Sequence, residues 1–523
     1  MQENNNLNWG KPLFYGFLVI LGILIGVFFK GNFNLGSLTR NNQLPIQEMI
    51  DLVQSKYVDS VANDSAASKL ADFYLAQLDP HSVYIPPADL NEVNEQLQPN
   101  FKGIGIEFQQ FRDSVFVAYV MKDGPAAKAG LQIGDILLSA DDSIQLSGKK
   151  IEAEEIRKKI KGPANSKVKL LIDRSGEKKS FVISRDNVSV SPVEASYMID
   201  SIQGYIRIAK FADRTYEAFM QALEPLLQKG MKSLVIDLRG NGGGLLSEAV
   251  GIADELLSGN KLIVYTQGVH SPRIDYFSKR EGLFEQGGIT ILMDETSASA
   301  SEVLAGALQD WDRATIVGRR SFGKGLVQQQ FKLSNGGAVR LTTAKYYTPL
   351  GRNIQRPYTK GKEEYENDFV ARLHEDALGK LDSSFKGASF KTPKGHLVYG
   401  GGGIYPDKWM SGATLMMDTS FKVLWEDGLL NDFILHWYVQ NKKMMNAQKS
   451  PTNFLKQTEQ YNFYSTLYNY ANPVQKSKLK ALEKNKPFIQ NQILALVART
   501  HWYKQGYIEV QNALDPNFIK MLP

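Results

Sequence analysis

The chain is 523 residues long, too much for one ordinary core, and points to two to four domains. Its net charge of +6 is small for that length, and no block of roughly five or more like charges occurs, so nucleic acid is not an implied partner. Cysteine is absent, which excludes disulfides, thiol catalysis and Cys-ligated metals, and fits both a reducing cytosol and an envelope compartment without disulfide stapling.

The first element in chain order is an apolar run. Leu13 to Phe29 carries no charge and is bracketed by Lys11 and Lys30, long enough to span a bilayer. No small-x-small cleavage site follows, which favours a retained signal anchor over a cleaved leader. Residues 1–30 read as cytoplasmic end and membrane helix, although Lys11 on one side against Lys30 and Arg40 on the other does not decide the orientation. Residues 31–44 are polar and read as a tether. From 45 to 98 the apolar spacing is helical, broken by "LDPHSVYIPP" as a loop. At Phe101 short alternating segments and glycine turns replace the helices, so 99–186 reads as a small β-rich domain.

After residue 187 strand and helix alternate over longer stretches. "KSLVIDL", "GITILMD" and "ATIVG" read as buried strands, with "GLLSEAVGIADELLS" and "SEVLAGALQDW" as helices between them, the pattern of a layered α/β domain over 187–406. "LVQQQFKLSNGGAVRLTTAKYY" reads as a hairpin turning at Asn335-Gly336. The stretch 407–523 is rich in aromatics and lysine and largely helical. Helices wrapped on the core are one reading of it, and a dimer or partner surface is the other.

Three stretches could carry chemistry. "DETSASASEV" sets three serines at alternate positions before a helix, yet Ser299-Ala300-Ser301-Glu302 is also a capping box, so the residues alone leave cap and nucleophile open. No histidine lies between Ser271 and Leu373, and no G-x-S-x-G elbow occurs, so a base for such a serine must be distant or a lysine. A lysine base must be neutral, which asks for an enclosed, apolar setting. "GRRSFGKGLVQQQF" supplies Lys324 between two glycines. Alternation along the strand puts Lys324, Leu326 and Gln328 on one face, where Gln328 can orient the amine. Gly318-x4-Gly323-Lys324 nearly spells a phosphate-binding loop, but Gly325 stands where magnesium needs Ser or Thr, and a strand follows. Ser321-x-x-Lys324 is a spacing that recurs at several other serines and says little. "VIDLRGNGGGLL" runs from a buried strand into a glycine turn whose backbone N–H groups could approach a ligand closely.

Together these stretches resemble the carboxyl-terminal processing peptidases, or tail-specific proteases, with their D-L-R-x-N-x-G-G, S-A-S-A-S-E and S-F-G-K-G-x-V-Q segments. Here the segments are Asp237 to Gly244, Ser297 to Glu302 and Ser321 to Gln328. The resemblance implies Ser299 as nucleophile, Lys324 as general base 25 residues on, Gln328 positioning that lysine, and the N–H groups of Gly243 and Ala300 as oxyanion donors. Ser297 and Ser301 are left to shape the turn. "FKGIGIEF" and "GPAAKAGLQIGDILLS" are similar to a PDZ domain. That likeness implies that Gly103, Ile104, Gly105 and Ile106 present N–H groups to a substrate's terminal carboxylate while its tail adds as a strand.

The fold class so implied is a multidomain α/β chain. A ClpP/crotonase-like protease core carries an inserted PDZ domain, an N-terminal helical segment, a helical C-terminal extension and an N-terminal transmembrane helix. The function implied is a membrane-anchored serine endopeptidase using a Ser/Lys dyad on proteins with exposed C-termini, in the inner membrane with its catalytic part in the periplasm. No metal or cofactor is implied; a homo-oligomer or an activating adaptor would fit. The alternatives are a catalytically silent PDZ tether for C-termini and an acyl-CoA enzyme of the crotonase type.

Overall fold

A computed structural model describes residues 14–22, 45–59, 63–95, 100–111, 113–142, 144–148, 151–377, 387–410 and 427–521. The chain divides into two compact units, 1–71 and 72–523. The first contains helices over 14–22 and Pro45–Lys56. The helix over 14–22 rises only about 14 Å, roughly half a hydrocarbon layer. The rest of the expected span 13–29, and the tether 31–44, lie outside the described residues. Among the described residues no helix is long and apolar enough to cross a membrane.

The second unit is organised around a six-stranded sheet. Gln203–Ile208, Ser233–Asp237, Gly288–Met293 and Thr315–Gly318 run parallel side by side, with antiparallel Val193–Met198 at one edge and short Lys408–Trp409 at the other. Side chains alternate between faces. Ile206, Ile236, Ile291 and Ile316 pack under helices Thr215–Gln228, Leu246–Asp254 and Ala300–Asp310. Their neighbours Tyr205, Val235, Leu292 and Val317 pack on the opposite face against Ile508 and Phe518 of the C-terminal helices. Both faces are therefore covered, which is why these strands read as continuous apolar runs. The C-terminal region does wrap the core sheet, and it also has an apolar core of its own around Phe433, Trp437, Phe463 and Ile493.

A second, antiparallel sheet holds the expected hairpin, Leu326–Lys332 with Ala338–Tyr347, alongside Leu262–Gln267 and Ile274–Phe277. Part of the stretch read as a loop proves to be strand: Val83–Ile85 pairs with Val339 and its neighbours, which brings "LDPHS" onto this sheet. The β-rich domain is a sheet ordered Ile106–Phe111, Ser114–Val120, Ile136–Ala140, Lys167–Arg174, Glu177–Ser184, with helices Pro125–Ala129 and Ala153–Ile160 and a core of Val117, Leu137, Ile156 and Leu170. Asn100–Gly103 pairs with Asp186–Ser189 at its base.

Candidate active site

The three stretches singled out in the sequence all follow the C-terminal ends of adjacent parallel strands, where open α/β sheets place their ligands. Ser233–Asp237 leads into the glycine turn, Gly288–Met293 into the serine turn, and Thr315–Gly318 into the loop bearing Lys324.

The glycine turn is fixed at its head by Asp237, whose carboxylate is fully buried. Burial opposes its charge, but Arg239 and Arg207, with the Tyr205 hydroxyl donating at 2.6 Å, hold it well below the usual carboxylate range. Asn241 then ties this turn to the serine turn. Its side-chain amide donates to the Ile208 carbonyl, and its own carbonyl accepts from the Ala298 N–H at 3.0 Å and the Ser301 hydroxyl at 2.9 Å. The Ser297 hydroxyl donates to the Leu238 carbonyl at 2.8 Å. Ser297 and Ser301 thus shape the turn, and Ser299 is the serine whose side chain is left to face Tyr346.

Ser299 has φ 56° and ψ −114°, a conformation that side-chain-bearing residues rarely adopt, and it stands immediately before helix Ala300–Asp310. Such strain, of order 1–3 kcal/mol, persists where surrounding bonds over-determine it. One such bond is to Glu302, whose side chain accepts the Ser299 N–H at 2.8 Å as a capping box would. The same carboxylate accepts the Lys324 N–H at 2.8 Å, the Gly323 N–H at 2.7 Å and the Ser321 hydroxyl. One buried side chain therefore fixes the serine turn and the lysine loop to each other. Burial pushes the Glu302 carboxyl up, against these four hydrogen bonds.

Lys324 lies in the loop before its strand, and a bulge falls between Val327 and Gln328, so simple alternation is not what brings lysine and glutamine together. They meet nonetheless: the Lys324 amine donates to Gln328 Oε1 at 2.8 Å. The orientation of that amide is set from its other end, where Nε2 donates to the His81 carbonyl at 2.7 Å. His81 is held in turn by Asp79, which accepts the His81 and Ser82 N–H groups and the Ser82 hydroxyl. Burial lowers the Lys324 amine below its ordinary value, with Arg340 adding to the effect and Asp79 and Glu302 opposing it. Burial, then Lys324, brings the His81 imidazole down to about 4.

The residues expected at the site are thus gathered in one place, with two departures. Among the described residues no hydrogen bond joins the Ser299 hydroxyl to the Lys324 amine. The Gly243 N–H donates to Asn241 Oδ1 at 2.9 Å, so one of the two expected oxyanion donors is already engaged. The Ala300 N–H has no acceptor among the described residues. Gly243 itself sits against the serine: a Cβ there would come within 2.6 Å of the Ala298 carbonyl oxygen and 2.7 Å of Ser299 Cβ, at a φ of 96°. Gly243→Ala is expected to lower kcat by roughly a hundredfold through displacement of the serine turn. Steady-state hydrolysis by a variant that still melts cooperatively checks this, and unchanged kcat would mean the turn is not part of the machinery.

A model of peptidase family S41 matches residues 203–363, and a PDZ-domain model matches residues 116–174. The carboxy-terminal-processing protease of Bartonella bacilliformis is 34% identical over 352 residues, covering 64% of this chain and 80% of that relative. A probable CtpA-like serine protease of Staphylococcus aureus is 31% identical over 338 residues, 64% of this chain and 67% of its own length. The chain belongs to peptidase family S41. It is a serine-type peptidase of the carboxy-terminal-processing kind with a PDZ domain. Among solved structures, the photosystem II D1 C-terminal processing protease is 28% identical and matches 61% of this chain and 86% of its own with a TM-score of 0.36.

In this S41 peptidase the four PDZ residues expected to meet a carboxylate line a groove of about 610 Å³ between strand Ile106–Phe111 and helix Ala153–Ile160. The carbonyls of Ile104 and Gly105 accept the N–H groups of Ala126 and Met121, while no acceptor among the described residues takes the N–H of Ile104 or Gly105. Glu302, Asn241 and His81 were not singled out as site residues in the sequence. Glu302 was visible only as half of a cap. His81 acts through a backbone carbonyl that any residue could supply.

Proposed function

We propose that this S41 peptidase cleaves polypeptides whose exposed C-termini occupy the PDZ groove, with Ser299 as nucleophile and Lys324 as general base. The observation that carries the reading is the Glu302 carboxylate, which bonds the backbone N–H of both residues and so ties a strained serine to a lysine whose charged form burial disfavours. The Ser299 hydroxyl would lose its proton to Lys324 as its oxygen attacks the peptide carbonyl. Lys324 would then give that proton to the leaving amine, and water would release the acyl-enzyme by the same route. The free Ala300 N–H supports the developing oxyanion. Gly243 would join it on leaving Asn241, and Ser299 would turn from Tyr346 toward Lys324, since catalytic hydrogen bonds often tighten only with substrate in place. Ser299 is 8% exposed, which fits a resting arrangement that a bound tail opens.

The uncharged run 13–29 between Lys11 and Lys30 supports a single membrane anchor, and we further propose that the catalytic part lies on the extracytoplasmic, periplasmic side. The test of the whole reading is to incubate the full-length chain in detergent with one unfolded protein carrying either an apolar or a charged C-terminus. Cleavage of the apolar-tailed form at least about tenfold faster is expected. Equal rates would remove the tail from the reading, and absence of products would leave a silent tether.

A further inference from the structure

The helices of residues 427–521 lie outside both family-model matches, and one of them reaches the PDZ groove. Helix Lys486–Leu514 is broken at Tyr503, whose φ of 59° and ψ of −147° are not helical. An aromatic residue holds such a conformation only when its surroundings require it. Here they do: the Tyr503 hydroxyl donates to Glu107 Oε1 at 2.7 Å, and its ring stacks on Tyr119 with centroids 4.2 Å apart. One turn earlier, Arg499 pairs with Glu107 Oε2 at 2.6 Å. Both oxygens of the carboxylate that follows the carboxylate loop are thus taken by the C-terminal helix. The adjoining Lys504 grips the core through Glu194 at 2.6 Å.

Arg499 and Tyr503 line the same groove as Gly103 to Ile106. The strand that carries Glu107, Ile106–Phe111, is the last in its sheet, so its outer edge can take an added strand. The groove is apolar along Phe108 and Ile160, its helix side also carries Lys161 and Arg157, the latter paired with Glu154 at 3.1 Å, and among its lining residues the one carboxylate, Glu107, is already satisfied. Arg499 spends one of its nitrogens on Glu107; the other two have no hydrogen-bond partner among the described residues, and the guanidinium stands over the Tyr503 ring, 5.8 Å from its centroid. The balance of charge in the groove is positive.

We propose that Arg499 and Tyr503 are substrate-binding residues supplied from outside the PDZ fold, and that the groove they complete selects tails with an apolar end preceded by an acidic side chain. This rests on the reading of the groove as a tail site. The test uses the full-length Ser299→Ala chain and fluorescent ten-residue peptides with three apolar final residues. The fourth residue from the end is Glu or Gln, and each peptide is made as free acid and as C-terminal amide. The free-acid Glu peptide is expected to bind about fivefold more tightly than its Gln counterpart, a difference that Arg499→Ala erases. A Glu preference of less than about twofold, or one that survives Arg499→Ala, overturns the inference while a free-acid preference still stands. Equal binding of acid and amide overturns instead the tail reading beneath it. A peptide with a photoreactive residue at the fourth position keeps the test independent of variant folding. Crosslinks to the 499–503 segment support the proposal, and crosslinks confined to 100–161 refute it.

Discussion

Ser299→Ala and Lys324→Ala are each expected to remove nearly all peptide hydrolysis while leaving the fold in place. A general base contributes roughly 10²–10⁴-fold, and a nucleophile acting with it as one unit contributes at least as much, so the double variant should be little worse than either single one. Lys324→Arg should not rescue, because a guanidinium stays protonated and cannot accept the serine proton. The direction with pH follows from the lysine's setting. Burial lowers the amine below its ordinary 10.5, so kcat/KM should rise with pH through an inflection below that value, as the ammonium gives way to the neutral base. Gln328→Ala releases the amine from its acceptor and should displace that inflection. Single-turnover hydrolysis of a tailed peptide across pH reads all of this. A Lys324→Ala enzyme keeping more than about a tenth of wild-type kcat/KM would assign the base elsewhere.

The sequence motifs, read through their resemblance to the carboxyl-terminal processing peptidases, point to the three turns that the fold gathers at one sheet edge. Each motif ends a strand of one parallel sheet, and a parallel sheet covered on both faces announces itself as apolar runs broken by glycine and serine turns. What could not be read was whatever depends on long reach. Glu302 fits a local cap three residues from Ser299, and nothing in its neighbourhood says that it also takes the N–H groups of residues 323 and 324. The link from Gln328 to the His81 carbonyl spans 247 positions and uses no side chain of His81, so no residue pattern marks it. The bulge at Val327–Gln328 is likewise a backbone feature, which is why strand alternation gave the right partner for Lys324 by the wrong route. The break at Tyr503 lies inside a long helix, in the stretch Arg499 to Ile508, whose composition does not mark the position. The contacts that accompany it, Glu107 and Tyr119, lie in another domain.

Glu302 is where the second large effect is expected. Its side chain is fully buried, and each oxygen accepts two donors: Oε1 those of Ser321 and Gly323, Oε2 those of Ser299 and Lys324. Glu302→Gln keeps the volume but turns an amide NH2 toward one pair of these donors. Two buried groups then lose their acceptor, at about 1–3 kcal/mol each, so the variant should be less stable by roughly 2–6 kcal/mol. Glu302→Ala strands all four donors and should be worse. A purely structural role would end there, with the fraction that remains folded fully active. The geometry argues for more, because the same carboxylate sets the distance between the Ser299 and Lys324 backbones, and a displacement of about 1 Å at a reacting pair can lower rate a hundredfold. At a temperature where Glu302→Gln is fully folded, kcat should therefore fall by roughly 10²-fold. Tail-peptide affinity should hold if tails bind in the separate PDZ groove, as proposed. Glu302→Asp, which keeps the charge on a shorter side chain, should recover stability in part but not kcat. Thermal melts, peptide affinity and kcat measured on the same three variants separate the two roles. Near-normal kcat in folded Glu302→Gln would reduce Glu302 to a helix cap.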